Sequence, residues 1–281
     1  MTDITQDAEE VTITDTCETH GDYEAKGQRL MGRLFTSGCP RCAEQAEAAK
    51  KSEHEDKLRA ARERRVRDLA HGSLIPKRFQ GYGFDDYQPL NDKAAKAKAA
   101  CQRYAEHFEG RLQMGGGLVL CGKPGTGKTH LACAIANHIM REFCRVPLFT
   151  SVTKMSRAVK ATYGAKAEKS EAQVIRSFVE PDLLILDEVG AQRGTETELL
   201  LAQEIIDERY QEVRPTILIS NLPESELGRY IGDRAIDRMY EGGGAILAFD
   251  WESFRRSGTS RRFEQPEAVT VPPSERAFLE V

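Results

Sequence analysis

The run Gly122-Lys123-Pro124-Gly125-Thr126-Gly127-Lys128-Thr129 constrains this chain more than any other segment. It fits G-x-x-x-x-G-K-[ST] at every fixed position. Its setting also fits: the apolar stretch Gly117–Cys121 precedes it, and an amphipathic helix is predicted over Thr129–Phe143. Glycines let such a loop bend until successive N–H groups face inward on a phosphate chain. The positive end of the following helix adds to the same field. Lys128 is suited to neutralise β- and γ-phosphates, and the Thr129 hydroxyl to bind Mg2+. The expected nucleotide-binding residues are therefore Gly122, Pro124, Gly125, Thr126, Gly127, Lys128, Thr129 and the adjoining His130, with ATP and Mg2+ as ligands.

The pattern around the loop predicts its fold class. Short apolar strands are expected at Gly117–Cys121, Pro147–Thr150, Leu183–Leu186, Thr216–Ser220 and Ala245–Phe249. Helices are expected between them, at Lys93–Phe108, Thr129–Phe143, Lys154–Tyr163, Glu171–Val179, Glu196–Glu212 and Arg234–Tyr240. Apolar strands alternating with helices mark an α/β domain with a parallel sheet covered on both faces, here over residues 72–256. In such a sheet ligands sit at the carboxyl ends of the strands. Leu183–Leu186 runs into Asp187 and Glu188 at that edge. Asp187 is expected near Mg2+, through water, and Glu188 as the base that orients an attacking water. Asn221 ends the strand Thr216–Ser220 and can reach that water or the γ-phosphate. Arg234 and Arg238, spaced i, i+4 on a short helix, can reach a phosphate on an adjacent subunit.

The amino-terminal part differs in kind. Residues 1–16 are acidic, rich in threonine and expected to be flexible. Cys17-x2-His20 and Cys39-x2-Cys42 then form two close pairs, the ligand layout of a structural zinc module over residues 17–42. A module of that size cannot build a core, so a metal must supply its folding energy. His54 is an alternative fourth ligand. Residues 43–71 are dense in Ala, Glu, Lys and Arg without proline, and are predicted as a charged helical linker. Of seven cysteines, the remaining four (Cys101, Cys121, Cys133, Cys144) read as buried thiols. Residues 257–281 carry prolines among polar residues and read as a disordered tail.

Bulk charge excludes some classes. Lys and Arg total 40 against 44 Asp and Glu, a net of -4, so the chain is not a basic nucleic-acid coat protein. A local basic face remains open. There is no apolar run long enough for a membrane span and no basic start followed by an apolar stretch, which predicts a cytoplasmic protein.

Several runs together carry a family resemblance: GLVLCGKPGTGKTHLACAIAN, PDLLILDEVGAQ, RPTILISNLPESEL and IGDRAIDRMYEGGGAILAFDWESFR. Over residues 72–256 the chain resembles the AAA+ ATPases of the DnaC/IstB group, which are bacterial and phage helicase loaders and transposition regulators. The ordered set LLILDE, ISN, GDRAIDRM and AFDWESFR is closest to the DnaC-type loaders. The resemblance implies an AAA+ core without a separate lid domain. It gives Asn221 the sensor-1 role, Arg238 the arginine-finger position with Arg234 as companion, and Arg255 a sensor-2-like position. The zinc module resembles the helicase-binding region of DnaI-type loaders.

The function implied is an ATP-dependent loader. It would bind a DnaB-type replicative ring helicase through its amino-terminal region, self-associate through its ATP site and deliver the helicase to single-stranded DNA. In initiator-like AAA+ proteins a helical insertion comparable to Val152–Val179 touches single-stranded DNA. Here it carries Lys154, Arg157, Lys160, Lys166 and Lys169, which suit phosphates, and Tyr163, which suits base stacking. Two other functions stay open. One is an IstB-like ATPase that assembles on duplex DNA to direct a transposase. The other is a nucleotide-gated adaptor with negligible turnover.

Overall fold

A computed structural model describes residues 10–30, 33–164, 167–190 and 196–255. The expected disordered tail and Lys166 lie outside the described residues, as do residues 1–9 of the expected flexible start. The chain forms two compact units, Met1–Arg64 and Arg65–Val281.

In the first unit, β1 (Glu10–Cys17), β2 (Gly21–Leu30) and β3 (Arg33–Thr36) form an antiparallel sheet in that order. Residues 10–16, expected to be flexible, are thus a strand. Val11 pairs with Gly27 and Ile13 with Ala25, and both members of the second pairing register on one face. The segment buries little, so composition alone reads as unstructured, while cross-strand pairing gives it a regular extended backbone. Helix α1 (Pro40–Gly72) begins earlier than the expected linker, so Cys42 sits in its first turn. Its side chains are exposed almost throughout, and Leu69 is its buried residue. Strong helix formers and i, i+4 pairs such as Glu53–Lys57 carry it without an apolar stripe.

The second unit is the expected α/β domain. Its parallel strands are β4 (Leu118–Gly122), β5 (Pro147–Ser151), β6 (Leu183–Val189), β7 (Thr216–Ser220) and β8 (Ala245–Phe249), in the order β5-β6-β7-β4-β8. Strand alternation sorts their apolar residues into two cores. Leu118, Leu120, Leu183, Ile185, Ile217 and Ile219 face one side. Val119, Cys121, Leu184, Leu186 and Leu218 face the other. The first side is covered by α2 (Asp92–Glu106), α3 (Phe108–Met114) and α4 (Lys128–Phe143). The second is covered by α5 (Val152–Lys160), α6 (Glu171–Val179), α7 (Glu196–Gln211), α8 (Glu224–Ile231) and α9 (Asp233–Tyr240). Burial of both faces explains why these strands read as continuous apolar runs.

Boundaries shift in physically interpretable ways. The single helix expected over Lys93–Phe108 breaks at His107, whose backbone leaves the helical region (φ -103, ψ 24), and α3 restarts with Phe108 fully buried. Helix α8 has no counterpart in the sequence expectations. Cys101, Cys121 and Cys133 are buried as expected, but Cys144 is only half-buried, because it caps α4 in a left-handed turn. The backbone N–H of Phe149 on the edge strand β5 donates to Ser73 O (2.7 Å), so the chain leading out of α1 covers that edge. Among the described residues no helix is long and apolar enough to cross a membrane.

Candidate nucleotide site and metal centre

The strand order brings three strand ends together. Strand β7 lies between β6 and β4, so Asn221 emerges between the loop after β4 and the carboxylates ending β6. The loop spans the end of β4 to the start of α4, with Gly125 (φ 79) and Gly127 (φ 98) in the left-handed region that other residues avoid. Lys128 is 5 % exposed, and its Nζ donates to Gly122 O and Lys123 O, both at 2.7 Å. The ammonium is therefore folded back onto the loop, where it pins the strand end. Burial pulls its pKa down to about 8, against the opposing pull of Asp187, and the nearby Arg255 adds to the depression. Arg255 thus lies close enough to the loop to be felt electrostatically.

Thr129 Oγ1 donates to Asp187 Oδ2 (3.1 Å), which joins the first turn of α4 to the end of β6. Burial raises the Asp187 pKa, and the Glu188 N–H and the Thr129 hydroxyl partly offset it. The pair is a hydroxyl at the start of α4 and a carboxylate at the end of β6, a donor set that fits Mg2+. Between Leu186 and Val189 the register against β7 slips: Leu186 pairs with Leu218 but Val189 with Ser220. That is one extra residue, a bulge, and Glu188 sits in it with φ 61. In a regular strand Asp187 and Glu188 would point to opposite faces. The bulge re-aims them, leaving Asp187 half-buried and Glu188 exposed at the strand end. A non-glycine residue in this conformation costs about 1 kcal/mol or more, a strain typical of functional sites.

Other expected residues are placed differently. His130 faces away from the loop, with its ring among Phe79, Tyr82 and Tyr87 (centroids 5.8, 5.3 and 5.6 Å). Its Nε2 is buried with no hydrogen-bond partner among the described residues. Arg234 is exposed on α9. Arg238, one turn on, is 11 % exposed: it pairs with Asp207 and lies over the Tyr210 ring (4.9 Å to its centroid). Both partners belong to α7 of the same chain, and neither was among the expected site residues. Lys154, Arg157 and Lys160 are exposed on α5, opposite its buried Val152, Met155 and Val159. Tyr163 is 63 % exposed and its hydroxyl donates to Glu171 (3.4 Å); Lys169 is exposed.

The second cluster lies in the first unit. The ligand atoms of Cys17, His20, Cys39 and Cys42 all lie within 4.8 Å of one another. The Cys17 and Cys42 sulfurs are 3.4 Å apart, and His20 Nδ1 is 3.7, 3.6 and 3.3 Å from the sulfurs of Cys17, Cys39 and Cys42. A tetrahedral zinc with Zn–S of about 2.3 Å and Zn–N of about 2.0 Å has edges of roughly 3.5–3.8 Å. Those four separations, 3.3–3.7 Å, are close to that figure, with Nδ1 as the imidazole ligand atom. Cys17 and Cys42 share a proton: the Thr19 backbone N–H and the Cys42 thiol hold Cys17 down to about 6, while the bond to Cys17 pushes Cys42 up to about 11. His54 is not part of this cluster.

The sequence profile of the IstB-like ATP-binding protein family matches residues 51–256. A protein of Buchnera aphidicola (subsp. Acyrthosiphon pisum), described as the replicative helicase loader DnaC, is 33% identical over 184 residues, covering 66% of this chain and 73% of that protein. The Escherichia coli K12 protein of the same description is 32% identical over 184 residues, with the same coverage. The solved structure of the DnaC helicase loader superposes with a TM-score of 0.55 at 23% identity, over 62% of this chain and all (100%) of that one.

Proposed function

Because the chain belongs to the IstB-like ATP-binding family and folds as an AAA+ ATPase, we propose that it is a replicative helicase loader. In this reading it binds a DnaB-type ring helicase through its amino-terminal unit and delivers it to single-stranded DNA under control of its ATP state. The observation that carries the reading is the meeting of Lys128, the Thr129–Asp187 pair, Glu188 and Asn221 at one sheet edge, in a chain whose relatives are described as loaders.

The loop N–H groups and Lys128 bind the phosphate chain. Thr129 and Asp187 would hold Mg2+, which when bound supplies neutralising charge between the phosphates. Glu188 accepts a proton from the attacking water, and Asn221 orients that water beside the γ-phosphate. Arg234, Arg238 and Arg255 complete the charge around the nucleotide. For Arg238 to serve a neighbour's nucleotide it must leave Asp207 and Tyr210, so turnover is slow in the free chain and rises on self-association. Lys154, Arg157 and Lys160 meet DNA phosphates, with Tyr163 as the stacking group.

Size-exclusion chromatography of the full chain with a replicative ring helicase and ATP tests this directly. The two are expected to co-elute, and Glu188→Gln, which retains ATP, is expected to hold the complex longer. A chain that ignores the helicase but coats duplex DNA would be a transposition-type ATPase. Equal, negligible turnover by wild type and Glu188→Gln would indicate an adaptor.

Zinc, at the four-ligand cluster, supplies the folding energy of the first unit. Metal analysis is expected to give about one zinc per chain. Cys39→Ser is expected to lose it, along with the protease resistance of residues 10–42 and the helicase co-elution, while ATP binding by the second unit persists. Full metal-free protease resistance would contradict the assignment.

A further inference from the structure

The phosphate loop is held from outside as well as by its own sequence. Between Ser73 and α2 the chain crosses α4. Asn137, which is 4 % exposed, donates through Nδ2 to the carbonyls of Phe79 and Tyr82, both at 2.8 Å. Those two bonds fix the crossing segment to α4. Further along it, Tyr87 is 7 % exposed, and its hydroxyl donates to the carbonyl oxygen of Thr126 (3.1 Å), a residue 39 positions away. Its ring lies flush with Gly127, where an added Cβ would come within 2.3 Å of Tyr87 Cε2. Gly127 is thus required twice, for its backbone conformation and for the space the ring occupies.

The consequence follows from peptide geometry. The bond between Thr126 and Gly127 is trans, as are all the described peptide bonds. In a planar trans peptide the C=O and the N–H point in opposite directions. A donor that holds the Thr126 carbonyl outward therefore turns the Gly127 N–H inward. The Thr126 hydroxyl is already committed to Lys123 O (2.8 Å) and does not compete for that role. Burial pushes the Tyr87 phenol up to about 12, so it stays a donor at any pH where the protein works.

We propose that Tyr87 is a positioning residue of the nucleotide site: its hydroxyl sets the Thr126–Gly127 peptide plane so that the Gly127 N–H is aimed at the phosphate chain before nucleotide arrives. This rests on the reading of residues 122–129 as the phosphate-binding loop. Tyr87 need not touch nucleotide; it acts through the loop, and it presets an arrangement that the nucleotide would otherwise have to impose.

Tyr87→Phe isolates the hydroxyl, since the ring over Gly127 stays. In the full chain, titration calorimetry is expected to show ATP and ADP binding weakened about five- to tenfold, the scale of one lost hydrogen bond. The melting temperature of the nucleotide-free protein is expected to fall by about 2–4 °C, the scale of one lost buried hydrogen bond in a domain of this size. The backbone amide resonance of Gly127 is expected to shift before nucleotide is added, with distant amides unmoved. Unchanged affinity would overturn the proposal. So would an affinity loss accompanied by a much larger fall in melting temperature and widespread amide shifts, the result of a merely structural role. Failure of the wild-type chain to bind ATP would instead overturn the loop reading itself, and this inference with it.

Discussion

Lys128→Ala is expected to lower ATP affinity by at least about a hundredfold, since a buried ammonium contacting two phosphates supplies charge-assisted bonds of roughly 1.5–3 kcal/mol each. The fold should survive, because what the substitution removes within the chain is the pair of bonds to Gly122 O and Lys123 O. The same residue gives the site a pH dependence of defined sign. Without nucleotide, burial holds the Lys128 pKa near about 8. Bound phosphates favour the charged form and raise it. Binding at pH 9 should therefore take up a proton, binding at pH 7 almost none, and affinity should fall as pH rises through 8. Calorimetry in two buffers of different ionisation heat measures the uptake, which should vanish in Lys128→Ala. Equal, near-zero uptake at both pH values in the wild type would refute the argument. The effect on folding has the opposite sense. Because the folded-state pKa lies below the ordinary lysine value of 10.5, the unfolded chain binds more protons between about 8 and 10.5. This lysine's contribution to stability accordingly increases with pH across that window.

Arg209→Ala is expected to be the most destabilising single change in the second unit. Arg209 is fully buried near the end of α7, and among the described residues its hydrogen bonds go to neutral oxygens. Its guanidinium serves five acceptors. Nε donates to Thr216 Oγ1 (2.9 Å), Nη1 to the carbonyls of Phe178, Val179 and Pro181 (3.1, 2.7 and 2.9 Å), and Nη2 to Pro215 O (2.5 Å). These acceptors belong to the end of α6, the turn into β6 and the entry to β7, so one planar group ties together the connections that feed the two central strands. Its ionised form is disfavoured by burial, which pulls the pKa down to about 9. Of its acceptors, Pro215 O also takes the Leu184 N–H (3.4 Å). Alanine would withdraw the guanidinium donors from all five acceptors and leave a cavity, for a loss of about 4 kcal/mol. That is a large share of the 5–15 kcal/mol a domain typically has. Urea unfolding of the full chain would show it as a fall in midpoint. Arg209→Met fills similar volume without donors and should lose nearly as much. Near-wild-type stability of that variant would show that packing, not hydrogen bonding, holds this corner.

Tyr87, Asp207, Tyr210 and Arg209 were not legible in the sequence for a common reason. Each acts on a partner set by the sheet order rather than by spacing: Tyr87 lies in a stretch without periodicity and meets Thr126 far along the chain, and Arg209 looks like one more arginine on a charged helix. The strand β1 is not legible in the sequence because Thr, Asp and Glu alternate there with few apolar residues, and the Cys/His cluster gathers at its end. The bulge at Asp187 and Glu188 has no local signature either, since it is a mismatch of register with β7.

What the sequence determined by itself were the features whose physics is local. Glycine and lysine spacing defined the loop, doubly apolar runs defined five buried strands, and paired Cys and His residues defined the four-residue cluster. Only the tertiary structure decided which way those groups face. It placed β7 between β4 and β6, turned Glu188 out through a bulge, packed Arg238 against α7, set His130 among aromatic rings, and fixed the Thr126–Gly127 peptide from a tyrosine outside the loop. The physical reason is that orientation depends on contacts between distant segments, and those exist only once both cores have closed around the sheet.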